Sequence, residues 1–289
     1  MDNTKKRYIE REDLRPLFLP LKRDCNKGDN GRLIIVGGSK NYVGAPLLAS
    51  CGAAAMRTGA GTSMLAVPGF LLEPLYQRII FSGLYPLSER DGNIVFNASE
   101  FDEIIKGATA FAIGMGMAKG EADKIVSHIY ENTALAFVLD ADGLRTGANA
   151  KDKYSFRAVF TPHPKEFSFI AGVSVQDILS SPEEIAKKYA KEKEVILLLK
   201  GSESIITDGE RVLYNKTGNP RLSKGGSGDV LSGVIGALLA RGFDPFISAA
   251  AGAYICGLAA DLSTVNEFSH LPTDTVDFIP KAIDFILKN

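Results

Sequence analysis

Short apolar runs alternate with longer stretches of helical period along most of the chain. Leu33-Ile34-Ile35-Val36 reads as a strand buried on both faces, followed by Gly37-Gly38 and an alanine- and leucine-rich helical stretch over 44–57. The strand pattern recurs at 62–67, 110–113, 136–139, 158–161 and 195–199. Helical patterns at 121–130 and 182–193 lie between these runs, the second opening on Pro182-Glu183-Glu184, residues suited to a first turn. Strands that read as unbroken apolar runs and alternate with helices imply a parallel sheet covered by helices on both faces. The segments 204–207 and 211–214 differ, because Asp208-Gly209 between them signals a hairpin and so an antiparallel extension of the sheet. Three further helices are expected over 227–241, 245–263 and 276–287. No repeat, linker or break in composition interrupts this order. The expected fold is a single α/β domain over 1–289, three-layered α/β/α, with about 1–26 as an N-terminal extension.

Composition narrows the picture. The 289 residues are 45% apolar and 23% charged, close to the globular average and too apolar for a disordered chain. Thirty-three basic against 34 acidic residues leave a net charge of −1, so no general attraction to nucleic acid or membrane follows. Cys25, Cys51 and Cys256 are too few and too scattered for a disulfide framework or a cysteine-rich zinc site. The longest apolar run, 230–240, stops at Arg241-Gly242, short of the roughly 18 residues that a membrane helix needs. The N-terminus is charged and has no signal-peptide core. A reduced, soluble, cytoplasmic protein is expected.

In parallel sheets, ligands bind beyond the carboxyl ends of the strands. Gly37-Gly38-Ser39, Gly114-Met115-Gly116, Asp140-Ala141-Asp142, Pro162-His163-Pro164 and Lys200-Gly201 all follow strands directly, so one crevice can hold them all. The strongest local signal is Gly225-Gly226-Ser227-Gly228-Asp229 leading into an apolar helix. Backbone amides converge at such a turn, and the helix N-terminus adds unpaired donors and partial positive charge, which together make a hole for phosphate oxygens. Asp229 is placed to take a proton from a hydroxyl held against that phosphate. The plainer alternative is a flexible loop whose acidic residue only stabilises the helix. No Gly-Lys-Ser/Thr triplet exists, which excludes a P-loop. Gly114-Met115-Gly116 with Gly120 approaches a dinucleotide fingerprint, but its third glycine falls one residue late.

Six segments together resemble the NAD(P)H-hydrate dehydratase family of the ribokinase-like superfamily. They are Lys27-Gly28 to Gly38-Ser39, Gly44-Ala45 to Gly61, Asp140-Ala141-Asp142-Gly143-Leu144, Thr161-Pro162-His163-Pro164-Lys165-Glu166, Lys200-Gly201-Ser202-Glu203-Ser204, and Asn219-Pro220 through Gly242. The resemblance implies a ribokinase-like fold and a repair enzyme. Members dehydrate NADH or NADPH hydrated on the nicotinamide ring (the S epimer), coupled to hydrolysis of ADP or ATP with Mg2+. Carried over by position, Asp229 is the base and Gly226, Ser227 and Gly228 form the anion hole. Lys200, Gly201, Ser202, Glu203, Ser204 and Gly228 hold the adenine nucleotide. Ala45, Gly116, His163 and Asp229 contact the hydrated dinucleotide. The resemblance also implies a homo-oligomer, a tetramer; no nucleic-acid or membrane partner is expected from the net charge.

Each of these positions has a structural alternative. His163 between two prolines can simply fix a turn. Lys200, at the end of a buried strand, can pair with a carboxylate. Asp140 and Asp142 can help hold magnesium through water or cap the following turn equally well. His128 reads as solvated, His270 as structural, and Cys51 and Cys256 as small apolar residues. Met115 stands where many relatives have proline, and Ser204 where they have threonine, keeping the hydroxyl. Many relatives also carry a fused epimerase domain. With about two dozen residues before Lys27, the expectation is action on one epimer, with a separate epimerase or slow spontaneous exchange supplying the other. Two other functions compete: a kinase of a vitamin or sugar alcohol, and a non-catalytic NAD-binding module built on Gly114-Met115-Gly116.

Overall fold

The computed structural model describes residues 6–51 and 57–288. Eleven strands are present among them: β1 (Arg32–Val36), β2 (Thr62–Pro68), β3 (Ser82–Leu87), β4 (Glu89–Arg90), β5 (Asn93–Ile94), β6 (Ala110–Ile113), β7 (Ala136–Leu139), β8 (Ala158–Phe160), β9 (Ile196–Leu199), β10 (Ser204–Thr207) and β11 (Val212–Asn215). Nine form one sheet in the order β11-β10-β9-β8-β7-β6-β1-β2-β3, and β4 pairs with β5 separately. The seven strands from β9 through β3 run parallel. The Asp208-Gly209 hairpin adds β10 and β11 antiparallel, as its sequence predicted.

Side chains of the central strands alternate between two cores, as period-two geometry requires. Leu33, Ile35, Ala110, Ala112, Val138 and Leu198 face the helices Ser227–Ala240, Pro245–Leu262 and Pro272–Leu287. Ile34, Val36, Phe111, Ile113, Phe137 and Leu197 face the opposite layer, which includes Ala98–Ile105, Ala122–Asn132, Pro164–Ala171 and Pro182–Lys193. The three layers therefore match expectation. The first apolar stretch forms a helix over Gly44–Ser50; residues 52–56 of the predicted 44–57 helix lie outside the described residues. Pro245–Leu262 is long and apolar enough to cross a membrane by length and composition, which the run-length reading missed. Its residues pack inside the domain between the sheet and its neighbours, the reason for their apolarity.

The chain leaves β1 toward β2 and β3 on one side, then returns on β1's other side at β6 and proceeds outward to β11. The order reverses between β1 and β6, the switch point at which open α/β sheets bind ligands. Residues ahead of Lys27 also belong to the packing. Ile9 donates its amide to Tyr214 and Tyr214 donates back to Arg7, along the outer edge of β11. Ile9, Leu14 and Leu17 are buried in the core.

Candidate active site

Three strand ends converge on one buried carboxylate. Asp140 follows β7 and is 2% exposed. Its Oδ1 accepts from Lys200 Nζ at 2.9 Å and from the Thr161 hydroxyl at 2.8 Å. The hydroxyl of Ser232, on the first turns of helix Ser227–Ala240, lies 3.0 Å from both Asp140 Oδ2 and the Gly228 carbonyl. Ala141 next to it is forced to φ +48°, a strained conformation for a residue with a β-carbon. Burial alone would raise the Asp140 pKa, but Lys200 and the two hydroxyls overcome it and hold the carboxyl below its ordinary value. For Lys200, burial pushes the ammonium down while Asp140 and Glu166, 3.8 Å away, push it up and prevail. The pair is ionised, as a buried pair must be to offset desolvation.

The glycine loop sits directly above this pair. A β-carbon on Gly228 would stand 3.3 Å from Asp140 Oδ2 and 3.4 Å from Lys200 Nζ. Gly226 is the N-cap at φ +99°, a region open to glycine, and a β-carbon there would meet Leu48 Cδ1 at 2.5 Å. This turn leaves the first-turn amides without intrahelical acceptors and adds the helix's positive end. Asp229 is in that turn and partly buried. Burial pushes its pKa up to about 7, with Asp140 and Asp142 adding to the rise and Lys200 opposing it. A carboxylate so tuned is a competent general base near neutral pH.

A cavity of about 580 Å³ opens beside the loop. Lys200, Gly201, Ser202, Ser204, Ser227 and Gly228 line it, so the structure brings most of the expected nucleotide residues together. The Ser204 hydroxyl closes the loop onto the Gly201 carbonyl at 3.3 Å. Glu203 stands apart. Its carboxylate is held by Lys6 and by the Tyr8 hydroxyl at 2.7 Å, and it faces a separate cavity on the other side of the loop. His163 is the N-cap of Pro164–Ala171: its Nδ1 accepts from the Glu166 amide at 3.2 Å while the Glu166 carboxylate accepts from the His163 amide. The half-exposed ring lines the nucleotide-side cavity, whereas Ala45 and Gly116 do not. Those two meet each other at the switch point, where a β-carbon on Gly116 would lie 3.0 Å from that of Ala45. Helix Gly44–Ser50 then carries the contact on through Leu48 to Gly226.

Other expectations resolve similarly. His128 is not simply solvated: its Nε2 lies 2.9 Å from Asp102 Oδ1 and the ring packs against Phe96. His270 is structural, buried between the hydroxyls of Ser263 and Thr275. The cavity also includes Asn215, Thr217, Asn219 and Lys224, which the sequence reading did not single out as site residues. Applying the strand-end rule to β11 would have found Asn215 and Thr217, since β11 runs in the same direction as β9.

Among the described residues, no group of three or more His, Cys, Asp or Glu side chains is arranged to hold a metal. Asp140 is enclosed by its three donors, and Asp142 accepts from the Ala118 amide at 2.7 Å, so neither caps its own turn.

Known proteins resemble this chain over nearly its whole length. A sequence profile of the NAD(P)H-hydrate dehydratase family matches residues 33–281. An ADP-dependent (S)-NAD(P)H-hydrate dehydratase of Cenarchaeum symbiosum is 32% identical over 96% of each chain. The bifunctional NAD(P)H-hydrate repair enzyme of Hyperthermus butylicus is also 32% identical over 96% of this chain, which spans 53% of that protein. The chain thus spans about half the length of the bifunctional relatives it matches. The crystal structure of the ADP/ATP-dependent NAD(P)H-hydrate dehydratase from Bacillus subtilis, co-crystallized with ATP/Mg2+, superposes with a TM-score of 0.82 at 26% identity, covering 98% of this chain and 99% of the other. The architecture is ribokinase-like. With the family profile over residues 33–281 and a dehydratase 32% identical over 96% of each chain, the chain belongs to the NAD(P)H-hydrate dehydratase family.

Proposed function

We propose that the chain restores NADH and NADPH from the S epimer of their ring hydrates, driven by hydrolysis of ADP or ATP. One observation carries the reading: Asp229 stands in the first turn of a glycine-capped helix, over the ion pair of Asp140 with the partly buried Lys200, and burial pushes its pKa up to about 7. In the proposed cycle, Asp229 removes the proton of the ring hydroxyl as that oxygen attacks the terminal phosphorus of the nucleotide. The P–O bond to the nucleotide breaks, giving AMP from ADP or ADP from ATP. The amides of Gly228 and Asp229 and the Lys200 ammonium take up the charge spreading over the phosphoryl oxygens, whereas the Ser227 amide turns to the Lys224 carbonyl at 3.3 Å. Phosphate then leaves the ring carbon as the ring nitrogen's lone pair moves in, and loss of a proton from the neighbouring carbon restores the double bond. Phosphorylation makes a poor leaving group a good one.

Ala45, Gly116 and His163 would border the dinucleotide, and the cavity lined by Lys200, Gly201, Ser202, Ser204 and Gly228 would take the nucleotide. Magnesium carried on the nucleotide would screen phosphate charge. The bifunctional repair enzymes among the relatives, about twice as long as this chain, support a companion activity, fused or separate, which would convert the other epimer.

The test is incubation with hydrated NADH, magnesium and ADP or ATP. Return of the dihydronicotinamide absorbance with one phosphate released per molecule is expected. A stable phosphorylated vitamin or sugar alcohol, with the hydrate untouched, would instead make the chain a kinase.

A further inference from the structure

Asp140 is the most enclosed acidic group of the site, yet the proposed chemistry gives it no step. Three elements distant in sequence end on it: Lys200 after β9, Thr161 after β8, and Ser232 on helix Ser227–Ala240. Its two oxygens divide the task, Oδ1 toward the two strand ends and Oδ2 toward the helix. Gly228 rests on this arrangement, its missing β-carbon pointing at both Asp140 Oδ2 and Lys200 Nζ. Lys200 is a flexible four-carbon arm whose ammonium has many rotamers, whereas the amide cradle is rigid backbone. Something must place the one against the other.

We propose that Asp140 is the positioning residue of the nucleotide site, holding the Lys200 ammonium and the first turns of helix Ser227–Ala240 in one register so that both meet the same phosphate. This rests on the proposed nucleotide-dependent function. Asp140 touches no substrate. It acts through Lys200, and its worth lies in pre-organisation: a lysine already in place spends no binding energy on ordering itself.

A positioning role differs measurably from a merely structural one. Asp140→Asn keeps the size and one acceptor oxygen but removes the countercharge, so the KM for ADP should rise roughly tenfold or more. The KM for hydrated NADH should rise less than the KM for ADP, because Ala45 and Gly116 border neither Lys200 nor the nucleotide cavity. Lys200→Met should raise the ADP KM similarly. In the double variant Asp140→Asn/Lys200→Met the second change should add little, since the group through which Asp140 acts is already gone. That double variant also has no unpaired buried charge, so it should fold even where Asp140→Asn alone does not. In that event Ser232→Ala, which keeps the ion pair and removes only the hold of Asp140 on the helix, carries the comparison, and a rise in the ADP KM larger than that in the hydrate KM is expected.

Losses that multiply in the double variant, or a hydrate KM that rises as much as the ADP KM, would overturn the proposal while leaving the function intact. Failure of the wild-type chain to bind ADP and to restore the dihydronicotinamide would overturn both.

Discussion

Gly233 faces the carbonyl oxygen of Ala49 so closely that a β-carbon on Gly233 would stand 2.1 Å from it. This is backbone against backbone, so no side-chain rotation can relieve it. The contact sets the distance between helix Ser227–Ala240, which carries Asp229, and helix Gly44–Ser50, which carries Ala45. Gly233→Ala is expected to force the two helices apart and to destabilise the domain by roughly 1–3 kcal/mol, the usual cost of overpacking. It should also lower kcat, because the base and the dinucleotide side of the crevice would move relative to each other. Thermal unfolding and steady-state kinetics check both. A variant with wild-type kcat and melting temperature would show that the helices yield without cost.

Asp229→Asn should abolish turnover and make the protein more stable. The sign follows from linkage. The folded-state pKa is raised to about 7, whereas an unfolded aspartate titrates near about 4. At low pH both states hold the proton and the carboxyl contributes no difference. As pH rises between those values the unfolded chain ionises first, so stability is lost, and the full penalty is present above about 7. Asparagine avoids it. Melting temperatures should therefore favour the variant at pH 8 by a few degrees, about 2–6 °C, with the advantage fading toward pH 4. Nucleotide binding should survive, since Lys200 and the amides remain. Wild-type turnover by the variant would remove Asp229 from the mechanism.

The same carboxylate fixes the pH profile. A base must be ionised in the free enzyme, so kcat/KM should fall on the acid side with a midpoint near 7. Asp140 is one of the charges that raise Asp229, after burial itself. In Asp140→Asn that midpoint should move to lower pH. Profiles of kcat/KM for hydrated NADH in the two proteins measure the shift. An acid limb near pH 4 in the wild type would mean that Asp229 is not held as described.

Much of this architecture was legible because strands buried on both faces leave a strong mark. β1, β6, β7, β8 and β9 read as apolar runs since each is covered by a helical layer on either side. β3 escaped notice because it is the sheet's edge, with Gly83 and Pro86 inside it and most side chains partly exposed. Proline is tolerated there, where no ladder partner is required on the outer side. The helix Pro164–Ala171 was hidden by the same residues that start it: Pro162-His163-Pro164 reads as a turn, while Pro164 is the first helical residue and His163 its cap.

The site was legible in part. Glycines and a first-turn aspartate carry a local signature, so the loop 225–229 stood out. The Asp140–Lys200 pair spans 60 positions, and strand-end topology could bring the two into one crevice without saying that they bond. Ser232 and Thr161 lay inside recognised segments but carried no role, because a hydroxyl inside an apolar helix or at a strand end looks like filler until its acceptor is known. The edge contact of residues 7–9 with β11 likewise depends on a partner about 200 positions away, and no local pattern announces it.

Glu203 offers a final discrimination, between membership in a motif and contact with a ligand. It lies in the nucleotide loop by sequence, yet Lys6 and Tyr8 hold its carboxylate outside the cavity that its neighbours line. A carboxylate facing a phosphate site would in any case repel the anion. Glu203→Gln should therefore leave the KM for ADP within about threefold, and weaken only the tether between the N-terminal segment and the loop, because exposed pairs contribute little. Lys200→Met, three residues earlier, should raise that KM by roughly tenfold or more, since its ammonium lies under Gly228. Both variants can be made in one background and titrated with ADP by calorimetry. Equal losses would mean that the Glu203 side chain turns into the cavity when nucleotide binds. Unequal losses, in the direction given, would assign the loop's binding role to Lys200 and its backbone.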